Sequence, residues 1–152
     1  MNEAAANVTP AIPKNLAGRW WVFVRQRFEP VSHLAMITAL FLAHHGAIAA
    51  GWVGEARPVP THLLLLAGLA ILAFFFKLRL YDELKDREED AHVFPDRPLV
   101  CGMLRPRQMK AGIAICFVVE LAGMAALGTG ALAGMAIAIA YSMLMYREFF
   151  LR

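Results

Sequence analysis

The chain has 152 residues, of which 59% are hydrophobic and 18% are charged, and its formal net charge is +3. Its mean hydropathy of +0.53 excludes an ordinary soluble domain, because a soluble bundle of this size could not cover such apolar helices on every side. The basic residues flank apolar segments and form no aromatic-interleaved surface, so the charge predicts no nucleic-acid partner.

Residues 1–33 are predicted to form a cytoplasmic, interfacial segment. They contain no basic region followed by an apolar core and a cleavage site, so they do not resemble a signal peptide. Within them, "RWWVFVRQRF" at Arg19–Phe28 mixes aromatic rings with three arginines. That mixture favours a helix in the headgroup layer, with its rings at the membrane boundary and its guanidinium groups toward anionic lipid.

Residues 34–152 are predicted to form one all-α, polytopic membrane bundle of about four transmembrane helices. A spanning helix needs about 20 mostly apolar residues to cross a hydrocarbon core about 30 Å thick. Four apolar runs meet or approach that length, and a tight "GTG" turn joins the last two into a predicted antiparallel pair. The predicted helices are Leu34–Val53, Leu63–Tyr81, Ala111–Gly128 and Ala131–Tyr146.

The basic residues predict the orientation of this bundle. Every lysine and arginine except Arg57 stands before the first helix, around the connection between the second and third, or after the fourth. Lys77, near the end of the second helix, is counted with this group. The positive-inside rule makes that side cytoplasmic. Both termini and an Asp-rich loop at 82–110 are therefore expected in the cytoplasm, where Cys101 stays reduced.

Two features inside the helices predict close packing. Glu120 lies at membrane depth, where a carboxyl group is costly, so it is expected to face the bundle interior and to be protonated or paired. Small residues also recur every four positions, a pattern that lets helix backbones approach closely in lipid. That row consists of Ala122, Ala126, Gly130, Gly134 and Ala138.

Six acidic residues crowd between Asp82 and Asp90, directly after the second apolar run. If the helix continues, Asp82, Asp86 and Asp90 follow one another at about 40° intervals, on one stripe with Arg79. Clustered carboxylates repel one another unless cations or full solvation offset the cost. Mg²⁺ suits hard oxygen ligands and joins one or two carboxylates to phosphates. The stripe thus favours either a Mg²⁺-held diphosphate or a solvated acidic helix end.

The sequence "DELKDREED" followed by "PDRPLVCG" resembles the first aspartate-rich motif and adjoining loop of the UbiA prenyltransferase superfamily. The family pattern is N-D-x-x-D-x-x-x-D, followed by Arg-Pro and Gly. Asp82 stands in the Asn place and Glu83 in the first Asp place, while Asp86 and Asp90 match. The resemblance covers the chain from about Arg19 onward. The loop residues that fit the pattern are Arg97, Pro98 and Gly102.

This resemblance implies a membrane enzyme that moves a prenyl group from prenyl diphosphate to a lipid-soluble, often aromatic acceptor. In such enzymes Mg²⁺ ions held by two aspartate-rich motifs bind the diphosphate. The resemblance assigns no catalytic residue, and two arginines are added to the diphosphate set from geometry and sign. The predicted residues are Glu83, Asp86 and Asp90 for the metal, and Asp82 with Arg79 and Arg97 for the diphosphate.

The sequence contains only one of the family's two motifs. The family has about nine helices and a second motif, D-x-x-x-D, on the sixth, whereas after Asp96 the only acids here are Glu120 and Glu148. The site is therefore expected to be completed by a second copy in a homodimer or by a chain carrying the complementary half. The alternative is a non-catalytic protein that packs membrane helices. A CDP-alcohol phosphotransferase would need a D-G-x-x-A-R segment, which is absent.

Overall fold

The computed structural model describes residues 12–50 and 60–148 of the chain, and within these ranges it contains helices and no strand. This confirms the predicted all-α class. Two helices are additional to the four predicted in the membrane: one precedes them, and a short one follows the second. The six helices are α1 (Leu16–Arg27), α2 (Pro30–Ala49), α3 (Thr61–Lys85), α4 (Arg87–Val93), α5 (Pro106–Leu127) and α6 (Thr129–Glu148).

The four predicted membrane helices correspond to α2, α3, α5 and α6, with ends shifted by local chemistry. Pro30 and Pro106 are the first residues of α2 and α5, where a proline's fixed φ suits the first helical turn. Gln108 also fixes the start of α5, because its side chain accepts the Arg105 N–H at 2.8 Å. α3 continues to Lys85. The predicted end of the first membrane helix at Val53 lies outside the described residues.

Two of the described helices, α3 and α5, are long and apolar enough to cross a membrane. Their most apolar windows have mean hydropathies of 2.2 and 1.8. At about 1.5 Å per residue, α3 is about 37 Å long, which exceeds the roughly 30 Å of a hydrocarbon core. α2 and α6 contain the shorter apolar stretches Pro30–His44 and Thr129–Leu144.

The bundle is organised around the packing of α3 along α5, with α2 against α3 and α6 against α5. Gly123 allows a close approach to the backbone of α3: a Cβ there would lie 3.0 Å from the Cβ of Ala70 and 3.2 Å from the Leu66 carbonyl oxygen. Four members of the predicted small-residue row, Ala122, Ala126, Gly130 and Gly134, are exposed and make no such approach. The last member, Ala138, packs against the buried cluster of Ala70, Met124 and Met135. The packing surface of α5 therefore lies one residue away from the row that the sequence pattern picks out.

The end of α3 that carries the acidic residues is built on an apolar cluster. Phe23 of α1 lies in this cluster and is 0% exposed. Its ring lies 6.1 Å from that of Phe76 on α3. The predicted interfacial segment is thus a helix that packs against the bundle, although Trp21 remains 59% exposed. The buried residues of the cluster are Phe23, Leu80, Leu99, Leu104, Met109 and Ile113.

The segment 82–110, predicted as a cytoplasmic loop, is ordered throughout. It comprises the last turn of α3, α4, a folded connection and the first turn of α5. In the connection, the Cys101 N–H donates to the Arg97 carbonyl at 2.9 Å and the Leu104 N–H donates to the Pro98 carbonyl at 3.0 Å. Gly102 has a φ of 78°, a conformation that favours glycine. The connection therefore holds Arg97 in a fixed place beside α4.

Candidate functional site

The acidic stripe begins on the last turn of α3 and continues through α4. Asp86, with φ −82° and ψ 1°, is the junction between the two helices. Helical hydrogen bonds nevertheless continue across it, because the Asp86 N–H donates to the Asp82 carbonyl and the Asp90 N–H donates to the Asp86 carbonyl, both at 2.8 Å. Asp82, Asp86 and Asp90 therefore lie at successive helical turns, as the continued helix predicts.

Glu83 is buried and bound by two arginines. Its side chain is 1% exposed. Arg27 of α1 donates from Nε to Glu83 Oε1 at 2.5 Å, and Arg79 donates from Nη2 to the same oxygen at 2.8 Å. A buried carboxylate is stable only beside cations and hydrogen-bond donors, and the two guanidinium groups provide both. The Arg27 contact also joins α1 to α3 across 56 sequence positions.

Asp90 is the second buried carboxylate of the stripe. Its side chain is 8% exposed and forms an ion pair with Arg97. The Arg97 guanidinium carbon lies 4.2 Å from the centre of the Phe94 ring, a cation–π arrangement that orients the group. The backbone N–H of Arg97 also donates to the Phe94 carbonyl at 3.1 Å. The Arg-Pro connection thus turns back and places its arginine on the stripe.

Asp82 and Asp86 are the more exposed acids of the motif, with side chains 53% and 39% exposed. Arg79 Nη1 lies 3.9 Å from an oxygen of Asp82, and Lys85 Nζ lies 3.6 Å from an oxygen of Asp86. Ion pairs with such long distances at accessible positions contribute little to the free energy of folding. These two carboxylates therefore remain accessible to a further cation.

An apolar cavity of about 280 Å³ opens beside Asp82. α3 contributes Leu78 and Tyr81 to its wall, and α6 contributes Tyr141 and Tyr146. The Tyr81 and Tyr146 rings lie 4.7 Å apart. The cavity combines an aromatic, water-excluding wall with a carboxylate at its edge, so it can hold an apolar chain whose charged end points to the acidic stripe.

A second cavity, of about 360 Å³, lies between the end of α1 and residues 93–98. Arg27 and Arg97 both line it. The two arginines that bind the buried acids therefore also border a common space, which an anion could enter. Other polar residues on the wall are Gln26 and Asp96.

The family model of the UbiA prenyltransferase family matches residues 36–152. The chain belongs to the UbiA prenyltransferase family. No curated protein and no solved structure matches it. The matched range runs from within α2 through α6 and includes the whole acidic stripe, while α1, with Arg27, precedes it.

The motif of this UbiA family member has the donor atoms that Mg²⁺ prefers. Within residues 12–50 and 60–148, no three His, Cys, Asp or Glu side chains converge as a metal site. Mg²⁺ commonly takes only one or two protein carboxylates and completes its coordination with water and substrate phosphates. Glu83, Asp86 and Asp90 offer such oxygens, and two of them are buried carboxylates already balanced by cations. The chemistry of these donor atoms therefore suits Mg²⁺, and in this structure arginines occupy the two buried carboxylates.

Lys77 corrects one part of the sequence interpretation. The charge pattern groups it with the cytoplasmic basic residues, but its side chain is 0% exposed and its Nζ lies 2.5 Å from Glu120 Oε2. The rings of Phe74 and Phe117 flank the ammonium, with centres 5.0 and 4.1 Å away. The prediction that Glu120 faces the interior and is paired is confirmed. Since Glu120 is the only acid of α5, the available signal was Lys77, the basic residue of α3 that lies deepest in its apolar run.

Arg27 is the site residue that the sequence analysis missed. It lies on α1, which the basic and aromatic pattern assigns to the headgroup layer, and that pattern carries no information about an inward contact. Only the docking of Phe23 in the apolar cluster turns the last turn of α1 toward Glu83. A basic residue at the end of a docked interfacial helix could have been considered as a partner for the acids.

Proposed function

We propose that the chain contributes the first metal and diphosphate site of a UbiA-type prenyltransferase. The reaction is Mg²⁺-dependent transfer of a prenyl group from prenyl diphosphate to a lipid-soluble, often aromatic acceptor within the membrane. The observation that supports this most strongly is the pairing of three motif carboxylates, Asp82, Glu83 and Asp90, with three arginines at the end of an apolar helix, where the fourth carboxylate, Asp86, is paired with Lys85. An apolar cavity adjoins one of these carboxylates, Asp82.

The proposed roles follow the chemistry of the side chains. Glu83, Asp86 and Asp90 would hold Mg²⁺, which supplies neutralisation of the charge that develops on the diphosphate leaving group. Arg79 and Arg97 offer guanidinium N–H groups to phosphate oxygens, for which their planar geometry is suited. The exposed carboxylate of Asp82 is a polar contact at the edge of the site.

The apolar cavity would receive the prenyl chain. Its wall includes Leu78 and the rings of Tyr81 and Tyr146. Such a wall excludes water from the carbon at which the bond to oxygen breaks, and so protects it from hydrolysis. The aromatic rings also present their negative faces to positive charge developing on that carbon.

The second metal-binding motif would come from outside these 152 residues. No D-x-x-x-D pair follows Asp96 in the sequence. A second copy of the chain in a homodimer, a complementary chain, or a continuation of the same polypeptide could each supply the missing acids. We expect a homodimer to bring two acidic stripes to one shared space, which cross-linking of cysteines placed at Glu88 would detect.

We further propose four membrane crossings, with both termini and residues 82–110 in the cytoplasm. This arrangement predicts that Cys101, which is exposed, reacts with a membrane-impermeant maleimide from the cytoplasmic side only. Cys116, buried in α5, is expected to stay unlabelled until the protein is denatured. Labelling of Cys101 from the outside of intact cells would contradict the orientation.

A transfer assay tests the proposed function. Native membranes containing the chain are incubated with radiolabelled geranyl diphosphate and their own lipid extract as acceptor, in Mg²⁺ or in EDTA. We expect a labelled, lipid-soluble product that depends on both Mg²⁺ and the chain. Membranes from cells lacking the gene are the control. Equal product with and without the chain would overturn the proposal.

One observation favours a second candidate, a non-catalytic helix-packing protein. The arginines that bind Glu83 and Asp90 join α1 and the Arg-Pro connection to the bundle, so these acids could serve structure alone. Such a protein would keep its phenotype when the exposed acid Asp86 is changed. The proposed enzyme would lose most of its Mg²⁺-dependent transfer activity under the same change.

A further inference from the structure

Three arginines surround the two buried carboxylates of the motif, and one of them, Arg79, also lies 3.9 Å from Asp82. Glu83 Oε1 accepts hydrogen bonds from both Arg27 and Arg79, while Asp90 is paired with Arg97. Arg79 Nε is buried without a hydrogen-bond partner among the described residues. Guanidinium groups with unused donors beside a cavity are suited to bind a further anion.

Arg27 and Arg97 have donors to offer. A guanidinium group carries five N–H donors. Among the described residues, Glu83 is the sole hydrogen-bond acceptor of Arg27, and Asp90 is the sole ion-pair partner of Arg97. Both arginines line the cavity of about 360 Å³ between α1 and residues 93–98. Phosphate oxygens in that cavity would meet two guanidinium groups that are already oriented by their carboxylates.

We propose that Arg27 and Arg97 couple diphosphate binding to Mg²⁺ binding by exchanging partners. Each guanidinium holds a buried carboxylate, Glu83 or Asp90. Phosphate oxygens bind the unused N–H groups first, and the more highly charged phosphate then replaces the carboxylate on the remaining ones, which releases Glu83 or Asp90. The released carboxylates are then available to the metal. This inference rests on the proposed function, and it adds Arg27 of α1 to the site as a residue that positions Glu83 and binds diphosphate.

The exchange keeps the charge balanced at each buried position. A buried carboxylate that loses its guanidinium partner is costly unless another cation replaces it. The arginine likewise exchanges one anion for another. Metal and diphosphate should therefore bind cooperatively, because each ligand makes available the protein group that the other needs.

This account predicts opposite effects of an Arg27→Gln substitution on the two ligands. In the full chain in lipid nanodiscs, inorganic diphosphate in the presence of Mg²⁺ should bind about 10- to 100-fold more weakly, the range for losing a hydrogen bond to a charged group. Mg²⁺ alone should bind more tightly, because Glu83 loses one competing cation. Calorimetric titration measures both affinities.

Arg25→Gln is the matched control. Arg25 is exposed on the same helix and makes no polar contact with another described residue, so both affinities should stay at the wild-type values. A lower unfolding temperature of the Arg27→Gln variant would show that the docking of α1 is loosened. In that case Arg27→Lys replaces it in the experiment. Lysine keeps the ion pair but loses the planar fork, so only diphosphate binding should fall.

The outcomes separate the two proposals. Parallel losses of Mg²⁺ and diphosphate affinity, or no change in either, would overturn the exchange while leaving the proposed function intact. Failure of the wild-type chain to bind diphosphate with Mg²⁺ would overturn the proposed function, and the exchange with it. Opposite shifts confined to the Arg27 variant would support the exchange.

Discussion

Replacing Asp86 and Asp90 together with asparagine is expected to weaken Mg²⁺-dependent diphosphate binding about 100-fold or more. The size follows from the typical cost of removing groups that orient or stabilise charge at a metal or oxyanion site. Asparagine keeps the shape and some hydrogen bonding of each side chain, but it removes the anionic oxygens that Mg²⁺ prefers. Binding of inorganic diphosphate by the purified full chain measures the effect.

Two further acids lie between Asp86 and Asp90, and replacing them gives a control variant that removes the same number of negative charges. Glu88 and Glu89 are exposed and form no ion pair with another described residue. Changing both to glutamine removes two negative charges from the same helix, and we expect binding within about twofold of wild type, as for surface changes away from a site. An equal loss in both double variants would mean that the net charge of α4 matters and that no specific metal site lies there.

Breaking the buried ion pair between Lys77 and Glu120 is expected to produce the largest loss of stability. The two side chains are 0% exposed, so Lys77→Met or Glu120→Leu leaves the other group without its partner. Removing one partner of a buried pair typically costs about 3–5 kcal/mol. The free energy of unfolding in detergent micelles, from a denaturant titration, measures the effect.

Replacing both members of the pair at once distinguishes a buried charge from general disruption of the α3–α5 contact. Because no charge is then left uncompensated, the double variant Lys77→Met with Glu120→Leu should be much more stable than either single variant. Lys110→Met, at an exposed position near the start of α5, should stay within about 0.5 kcal/mol of wild type. Additive losses in the double variant would contradict the assignment of the pair as a compensated charge.

The sequence predicted the helices and the acidic stripe because both depend on short-range patterns. A run of apolar residues predicts a membrane helix, and spacing of about four residues places Asp82, Asp86 and Asp90 along one side of it. The structure departs from the simple helix at Asp86, but hydrogen bonds across this residue keep the one-turn spacing. Local periodicity was therefore sufficient for this part of the site.

The partners of the acids could not be predicted in the same way. Arg27 and Glu83 are separated by 56 positions, and their contact depends on the docking of Phe23 in the apolar cluster. Lys77 and Glu120 are separated by 43 positions, and each alone is compatible with several environments. Such contacts are set by how the helices pack against one another, about which the sequence pattern within one helix carries no information.

The packing surface of α5 likewise could not be predicted from the residue pattern within one helix. Ala122 and Gly134 belong to a regular row of small residues, yet both are exposed. Gly123, one position from the row, instead makes the close approach to Ala70 and Leu66. A small-residue pattern indicates where helices can approach closely, but the side chains of the neighbouring helix decide which of these positions is used.

Calorimetric titration of inorganic diphosphate into the full chain is the most direct test of the Mg²⁺-diphosphate site. The protein is purified from native membranes together with the chains that accompany it, and it is titrated in lipid nanodiscs with saturating Mg²⁺ and again in EDTA. The account predicts saturable binding in Mg²⁺, competition by geranyl diphosphate, and loss of binding in EDTA. Undetectable binding in Mg²⁺, or equal binding in EDTA, would contradict it.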